Sequence, residues 1–483
     1  MLTLILILIP LVASLITWFG GGKAAKTLAL AGSLVTFLAT LFVWQKFDPA
    51  GGTQFAFRYP WMESMGISFS GGIDGISLLL VFLTTFLCPL IILSTFNHNY
   101  SNAKAFYSLI LFMEAALVGV FVATDAFLFY LFFEAALIPV YFLAAVWGGE
   151  SRRQVTFKFF VYTMFGSLFM LIALIYLYFQ TPGYHSSDIN AFYNLQLTDG
   201  QQSLVFLAFF LAFAIKMPIF PFHTWQPDTY VEAPTPATML LSGIMLKMGV
   251  YGLIRFLVPI APAGLAEWGN VVMILAVIGI IYGSIIAIQQ RDMKRLIAYS
   301  SFAHVGLMGA GVFAASINGL QGALIQSLAH GINVVGLFFI VEIISSRTKS
   351  RFLSELGGIT QVAPQLSVFF LIILLGSVAL PLTNGFPGEF LLLSSVFEYN
   401  KCIGAIAGTT IILGAVYMLR LFQKSMFGAR SELTQNFTDL DWTEKAVLIP
   451  LVLMVLWIGI YPNVFLKVTE PAVVHILQTV AAH

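Results

Sequence analysis

The 483-residue sequence predicts an all-α polytopic membrane protein of about 14 transmembrane helices, two of them, the seventh and the twelfth, discontinuous. Three observations predict it. Only 9% of the residues are charged and 59% are hydrophobic, whereas soluble domains carry about 25% charged residues. Apolar runs of about 20 residues, the length a bilayer demands, recur along the chain, and mean hydropathy is +0.92. Two of those runs are broken by proline and glycine. A lipid-facing helix could not leave the freed backbone groups unpaired, so the breaks belong inside protein or beside water.

The composition also excludes functions. A net charge of +1 argues against a nucleic-acid partner. Cys88 and Cys402 are too few for a disulfide scaffold or a cysteine metal site. The sequence has no Gly-rich phosphate loop and no HExxH motif, and no stretch suggests metal, haem or flavin.

Taken in order, the first run, MLTLILILIPLVASLITWFGGGK, lacks a basic leader and reads as a retained helix, not a cleaved signal. The spans then fall at 2–19, 26–44, 76–95, 104–122, 124–147, 156–179, 203–226, 236–258, 270–289, 295–315, 319–344, 365–399, 403–423 and 443–461, with a short end helix over 463–482. Charge supports the count. With the N-terminus outside, sixteen of the 23 Lys and Arg fall in inside loops, Lys23, Arg152, Arg153, Arg291 and Arg295 among them. Lys46, Arg58, Arg255, Lys401 and Lys467 fall outside, as the positive-inside rule asks.

The seventh span carries Lys216 in an apolar run and then Pro218 and Pro221, in IKMPIFPFHTW. Ala214 and Met217 are expected to lose their helical partners. The twelfth span is interrupted at Pro381, Gly385, Pro387 and Gly388. The two broken spans run in opposite directions. That suggests inverted repeats over 104–258 and 259–430, after three N-terminal helices in 1–103 and before a C-terminal helix and tail in 431–483.

Ionisable residues in mid-membrane cost ~2.5–3.5 kcal/mol or more for Asp, Lys or Arg. Glu114, Glu134, Lys216, Lys247, His304, His330 and Glu389 lie at similar depth on sequential spans. Gln326, His330 and Asn333 share one helix face, as do Ser300 and His304. A single histidine would read as a core residue bonded to a carbonyl. A recurring row of acids, lysines and histidines reads as a proton path, because histidine takes and releases protons near neutral pH. For Glu389, which follows Pro387 at the start of a half-helix, capping that half-helix is the competing reading. His223 and Trp225 read as interface anchors.

At these residues the chain resembles the antiporter-like subunits shared by respiratory complex I and the Mrp-type sodium/proton antiporters. The pieces that carry the resemblance are FFEAALIP around Glu134, KMPIFPFHTWQPDTYVEAPTP around Lys216, LLSGIMLKMGVYGLIRF around Lys247, RDMKRLIAYSSFAHVG around His304 and NGFPGEF around Glu389. They span nearly the whole chain. The resemblance implies a proton relay of Glu134, Lys216, Lys247, His304, His330 and Glu389, with Glu114 auxiliary. It makes Glu134 and Lys216 a switchable ion pair, and Glu389 matches the complex I type that has glutamate where others have lysine.

It further implies a multi-pass protein of the cell inner (cytoplasmic) membrane with its N-terminus on the periplasmic side. It would have other membrane-arm subunits as partners, further antiporter-like ones among them, and no cofactor of its own. NADH, FMN, iron–sulfur clusters and quinone would belong to partner subunits of a proton-translocating NADH:quinone oxidoreductase. The alternatives are an Mrp-type exchanger subunit, a membrane subunit of a membrane-bound hydrogenase or formate hydrogenlyase, and a scaffold with vestigial polar groups.

Overall fold

The computed structural model describes residues 1–22 and 24–482. Lys23, one of the expected inside cations, and His483 lie outside the described residues. With no water in lipid, each backbone donor and acceptor must be met within the segment, and the chain meets them with helices. Among the described residues, 13 helices are long and apolar enough to cross a membrane. Twelve of them form crossings α1 (Leu2–Phe19), α2 (Ala25–Lys46), α3 (Gly75–Leu93), α4 (Ala103–Val122), α5 (Ala126–Trp147), α6 (Arg152–Gln180), α8 (Thr235–Ile260), α9 (Pro262–Gln289), α10 (Met293–Phe313), α11 (Ile317–Thr348), α13 (Lys401–Met426) and α14 (Trp442–Ile460). Two further crossings are broken: α7 as Asp199–Lys216 and Trp225–Glu232, and α12 as Pro364–Ser377 and Gly385–Tyr399.

The thirteenth such helix, α15 (Asn463–Ala481), is long enough to cross but does not. Its contacts fall at the ends of other helices on the face that holds Met1. Phe465 packs edge-on against Trp44 and Trp457, the Leu466 carbonyl accepts from Gln321, and Val468 abuts Gly75 at the start of α3. So α15 lies across that face.

A β-hairpin, β1 (Gln54–Met62) and β2 (Ile67–Ile73), stands on the same face and adds an element to the all-α expectation. Gly66 closes it at φ 64, and a Cβ there would sit 2.1 Å from the His185 carbonyl oxygen, so only glycine fits. Asp125 ties hairpin to bundle. Its carboxylate caps α5 through the Phe127 and Leu128 N–H groups and accepts from the Ser68 N–H and the Ser187 hydroxyl.

The centre of the bundle is made by α3, α4, α8, α10 and α11. The apolar window of α8 is 100% buried, and those of α3, α10 and α11 are 94% buried, against 28–50% for α1, α2, α5, α6, α9, α13 and α14. The latter therefore supply the apolar outer wall, where Phe165, Ile172 and Phe179 of α6 are exposed. The buried centre is where polar residues need a reason.

Candidate functional site

Lys216 ends the first half of α7, because Pro218 has no N–H to offer the Ala214 carbonyl. That carbonyl is not left alone, as the sequence suggested: the Ile219 N–H reaches it at 2.8 Å. The Ile215 carbonyl accepts from Trp225 Nε1 at 2.9 Å. Trp225 and His223 are thus buried parts of the break and not interface anchors; His223 stacks on Phe302 with ring centroids 4.3 Å apart. Protein groups close the break around Lys216, which is 3% exposed. Its ammonium lies over the Phe133 ring, 4.7 Å from the centroid.

Glu134 is the next residue after Phe133, and two residues later a single turn at Ala136, itself in helical conformation, divides α5 without ending the crossing. Pro139 explains it by denying a donor to the Ala135 carbonyl. Glu134 and Lys216 are close enough to interact electrostatically. Among the described residues, however, no carboxylate lies within 4.0 Å of Lys216 Nζ, so the expected pair is apart in this state.

Lys247 sits between two π-turns of α8, Leu241–Met245 and Leu253–Leu257. Such turns redirect backbone carbonyls and recur at functional sites. Lys247 is fully buried; its ammonium donates to the Ser242 carbonyl at 2.6 Å and to His330 Nδ1 at 2.8 Å. Two glycines allow that reach. Gly243 and Gly331 face each other so closely that a Cβ on Gly331 would lie 2.7 Å from the Gly243 carbonyl oxygen. Gly331→Ala is expected to force α8 and α11 apart and to cost roughly 1–3 kcal/mol, the range for overpacking. A purified complex carrying it should melt at lower temperature, and an unchanged melting point together with unchanged activity would refute that reading.

From His330 the row continues. The His330 and His304 rings meet edge-on with centroids 6.0 Å apart. His304 Nδ1 lies 3.1 Å from Glu389 Oε1, at ion-pair distance but off the hydrogen-bond angle. A small cavity joins the two histidines, lined by Ser300, Ser301, His304, Gln326, His330 and Asn333, with about 10 Å³ for the centre of a water molecule. That is close to the room one bound water needs. His330 Nε2, both nitrogens of His304, Gln326 Oε1 and Asn333 Oδ1 are buried without a protein hydrogen-bond partner, the condition in which polar groups bind water.

Glu389 is the fifth residue of the second half of α12 and is 3% exposed. Among the described residues no backbone N–H donates to its carboxylate, whose Oε1 faces His304 instead, so the capping expectation for Glu389 is corrected. Glu114, on α4, is fully buried and, among the described residues, its two oxygens have no hydrogen-bond partner; the structure does not join it to the row. Two groups were missed. Arg255, counted above with the outside cations at the end of the eighth span, pairs with Asp74 at 2.5 Å. Its place two helical turns beyond Lys247 was a signal available in the sequence.

A many-helix bundle with discontinuous helices and a buried row of lysine, histidine and acid defines a class, the membrane proteins that carry ions through a polar core. The chain belongs to the family described as NADH:quinone oxidoreductase/Mrp antiporter, transmembrane, whose model matches residues 123–414. It is 41% identical over 475 residues to NADH-quinone oxidoreductase subunit M of Rhodobacter capsulatus, covering 95% of this chain and 92% of that one. It is 37% identical over 479 residues to NADH-ubiquinone oxidoreductase chain 4 of Marchantia polymorpha, covering 98% and 96%. Among solved structures it is similar to a chain of respiratory complex I from Thermus thermophilus with bound NADH, at TM-score 0.92 and 31% identity over 99% of this chain and 100% of that one. The Mrp complex of a Dietzia species shares the fold at TM-score 0.85 and 17% identity, but this chain covers only 55% of that one.

Proposed function

We propose that this chain is a proton-translocating membrane-arm subunit of an NADH–quinone oxidoreductase, driven by redox chemistry in other subunits. The observation that carries it is the buried run Lys247–His330–His304–Glu389, made of groups that exchange protons and spaced at 2.8 Å, one ring-to-ring contact and 3.1 Å. His330 takes a proton at Nδ1 from Lys247 and releases one from Nε2, through one water, to His304. Glu389 receives it and releases it toward the periplasm. Lys216 loads Lys247 from the other side: the turn after Lys216 packs on Gly249, where a Cβ would meet the Met217 backbone N at 3.0 Å. Approach and withdrawal of the Glu134 carboxylate decide whether Lys216 keeps its proton.

On this reading the two broken helices lie in inverted repeats, 104–258 and 259–430. The N-terminus is periplasmic, in the inner membrane. NADH, FMN, iron–sulfur clusters and quinone are held by partner subunits, other antiporter-like subunits flank this one, and Glu114 is an auxiliary acid. Near-complete coverage of complex I relatives, against 55% of the Mrp chain, favours the redox complex over the exchanger. The test is Glu134→Gln and Lys216→Ala in the assembled complex, followed by proton uptake in vesicles and by quinone reduction with an uncoupler. Both variants are expected to keep assembly and lose most pumping, because moving one charge against ~200 mV takes ~4.6 kcal/mol that the pair must help supply. Normal pumping by an assembled Glu134→Gln complex would overturn the switch.

A further inference from the structure

Lys247, Tyr251 and Arg255 follow one another along one face of α8 toward the face that holds Met1. The contacts show it: Arg255 Nε donates to the Tyr251 hydroxyl at 3.3 Å, and its guanidinium lies 5.4 Å from that ring's centroid. Tyr251 donates to the Phe121 carbonyl at 3.1 Å. Arg255 Nη2 pairs with Asp74 at 2.5 Å and reaches the Ser77 hydroxyl at 3.4 Å. Asp74 also caps α3 through the Ser77 N–H at 2.9 Å.

Two adjoining cavities come down to this pair. The outer one, about 300 Å³, lies between the turn at Pro49, the start of α3 and His475 of α15. The inner one, about 40 Å³, has room for water and is lined by Tyr251 as well as by Asp74 and Arg255. Only one helical turn, about 6 Å for four residues, then separates Tyr251 from Lys247. A water-sized space open to the surface therefore ends one turn short of the central lysine, at the Arg255–Asp74 pair, whose guanidinium is the member that stays charged.

We propose that Arg255 is the residue that makes this approach impassable to cations: it stops protons from returning to Lys247 along α8, so that protons leave only by way of Glu389. This deepens the relay reading and rests on it, since the leak it prevents runs through Lys247. The physical basis is that arginine stays charged, and that a charge in a narrow, poorly screened space repels protons and other cations strongly. Asp74 positions the guanidinium; it does not form the barrier.

The two partners therefore predict opposite outcomes. Arg255→Gln removes the barrier and leaves Asp74 as a buried acid that attracts protons. Asp74→Asn breaks the same ion pair, but it keeps the positive charge and keeps a good capping residue. The measurement is passive proton flux into vesicles holding the idle assembled complex under an imposed pH difference. Arg255→Gln should raise that flux about tenfold or more, the factor a modest fall in barrier commands. Asp74→Asn and Arg255→Lys should stay tight. Adding Lys247→Leu to Arg255→Gln should close the leak again.

If Arg255→Gln does not assemble, the double variant Asp74→Asn/Arg255→Gln keeps the hydrogen bonds, removes both charges and should leak likewise. A pair with only a structural role would give equal effects for the two single variants. Equal leaks, no leak with Arg255→Gln, or a leak that survives Lys247→Leu would each overturn the proposal. The relay itself is read separately, in pumping during turnover: Lys247→Leu alone should abolish it, and if it does not, the relay reading fails whatever the idle flux shows.

Discussion

Glu389→Gln is expected to reduce proton pumping by the assembled complex to below about a tenth of the unmodified level, while quinone reduction with an uncoupler continues. Glutamine has nearly the shape of glutamate and can still hydrogen-bond, but it cannot ionise. A structural role would survive the change. Among the described residues no backbone N–H of the half-helix donates to Glu389, and its Oε1 turns to His304. What the substitution removes is the acceptor at the end of the buried run. Glu389→Asp keeps the acid and shortens its reach, so it should pump in part. Proton translocation in vesicles, with assembly checked on the same preparation, decides the matter. Full pumping with Glu389→Gln would remove Glu389 from the path.

Lys247→Arg is expected to fail nearly as completely as Lys247→Ala. Arginine keeps the charge but does not give up its proton, so a site that needs only a cation would tolerate it and a site that transfers a proton would not. The geometry sharpens the expectation. Lys247 Nζ has two acceptors, the Ser242 carbonyl and His330 Nδ1, in a fully buried place. A guanidinium brings five donors, and each one left unpaired there costs roughly 1–3 kcal/mol. A drop in assembly would show that cost, and pumping per assembled complex isolates the transfer step. Wild-type pumping by Lys247→Arg would mean that this lysine does not titrate during turnover.

Much of the fold was legible in the chain, for reasons that are local. Hydropathy marks spans because each helix must satisfy its own backbone in lipid, and the expected spans match the observed crossings closely. The ninth was the loosest: α9 begins at Pro262, not near 270, because its first two turns mix polar and small residues. Pro218 and Pro381 announced the breaks, since a missing donor acts on its own helix. Pro139 acts in the same way on the turn at Ala136, but the fifth span stays one continuous crossing, as expected. The hairpin went unforeseen. Its strands, nine and seven residues long, fall in the connection between two spans, and Asp125 and the loop at His185 tie them to the bundle. The end helix α15 has a length and composition that fit a crossing; only its neighbours, Trp44, Gln321 and Gly75, lay it across the face.

The sequence by itself determined that this is a many-helix membrane protein with two conspicuous broken helices and a set of costly buried ionisable groups. Composition and proline act within one segment, and the cost of a charge in lipid does not depend on which helix is beside it. Tertiary structure alone decided which of those groups meet. Lys247 reaches His330 because Gly243 and Gly331 let two helices approach within what any larger residue would forbid, and His304 faces Glu389 because the second half of α12 is turned toward α10. The same packing holds Glu134 away from Lys216, leaves Glu114 unjoined, and brings Arg255, counted with the outside cations, into a part-buried pair with Asp74. Hydrogen bonds and proton transfers act over about 3 Å, and separations on that scale depend on how helices approach and rotate, which no single segment encodes.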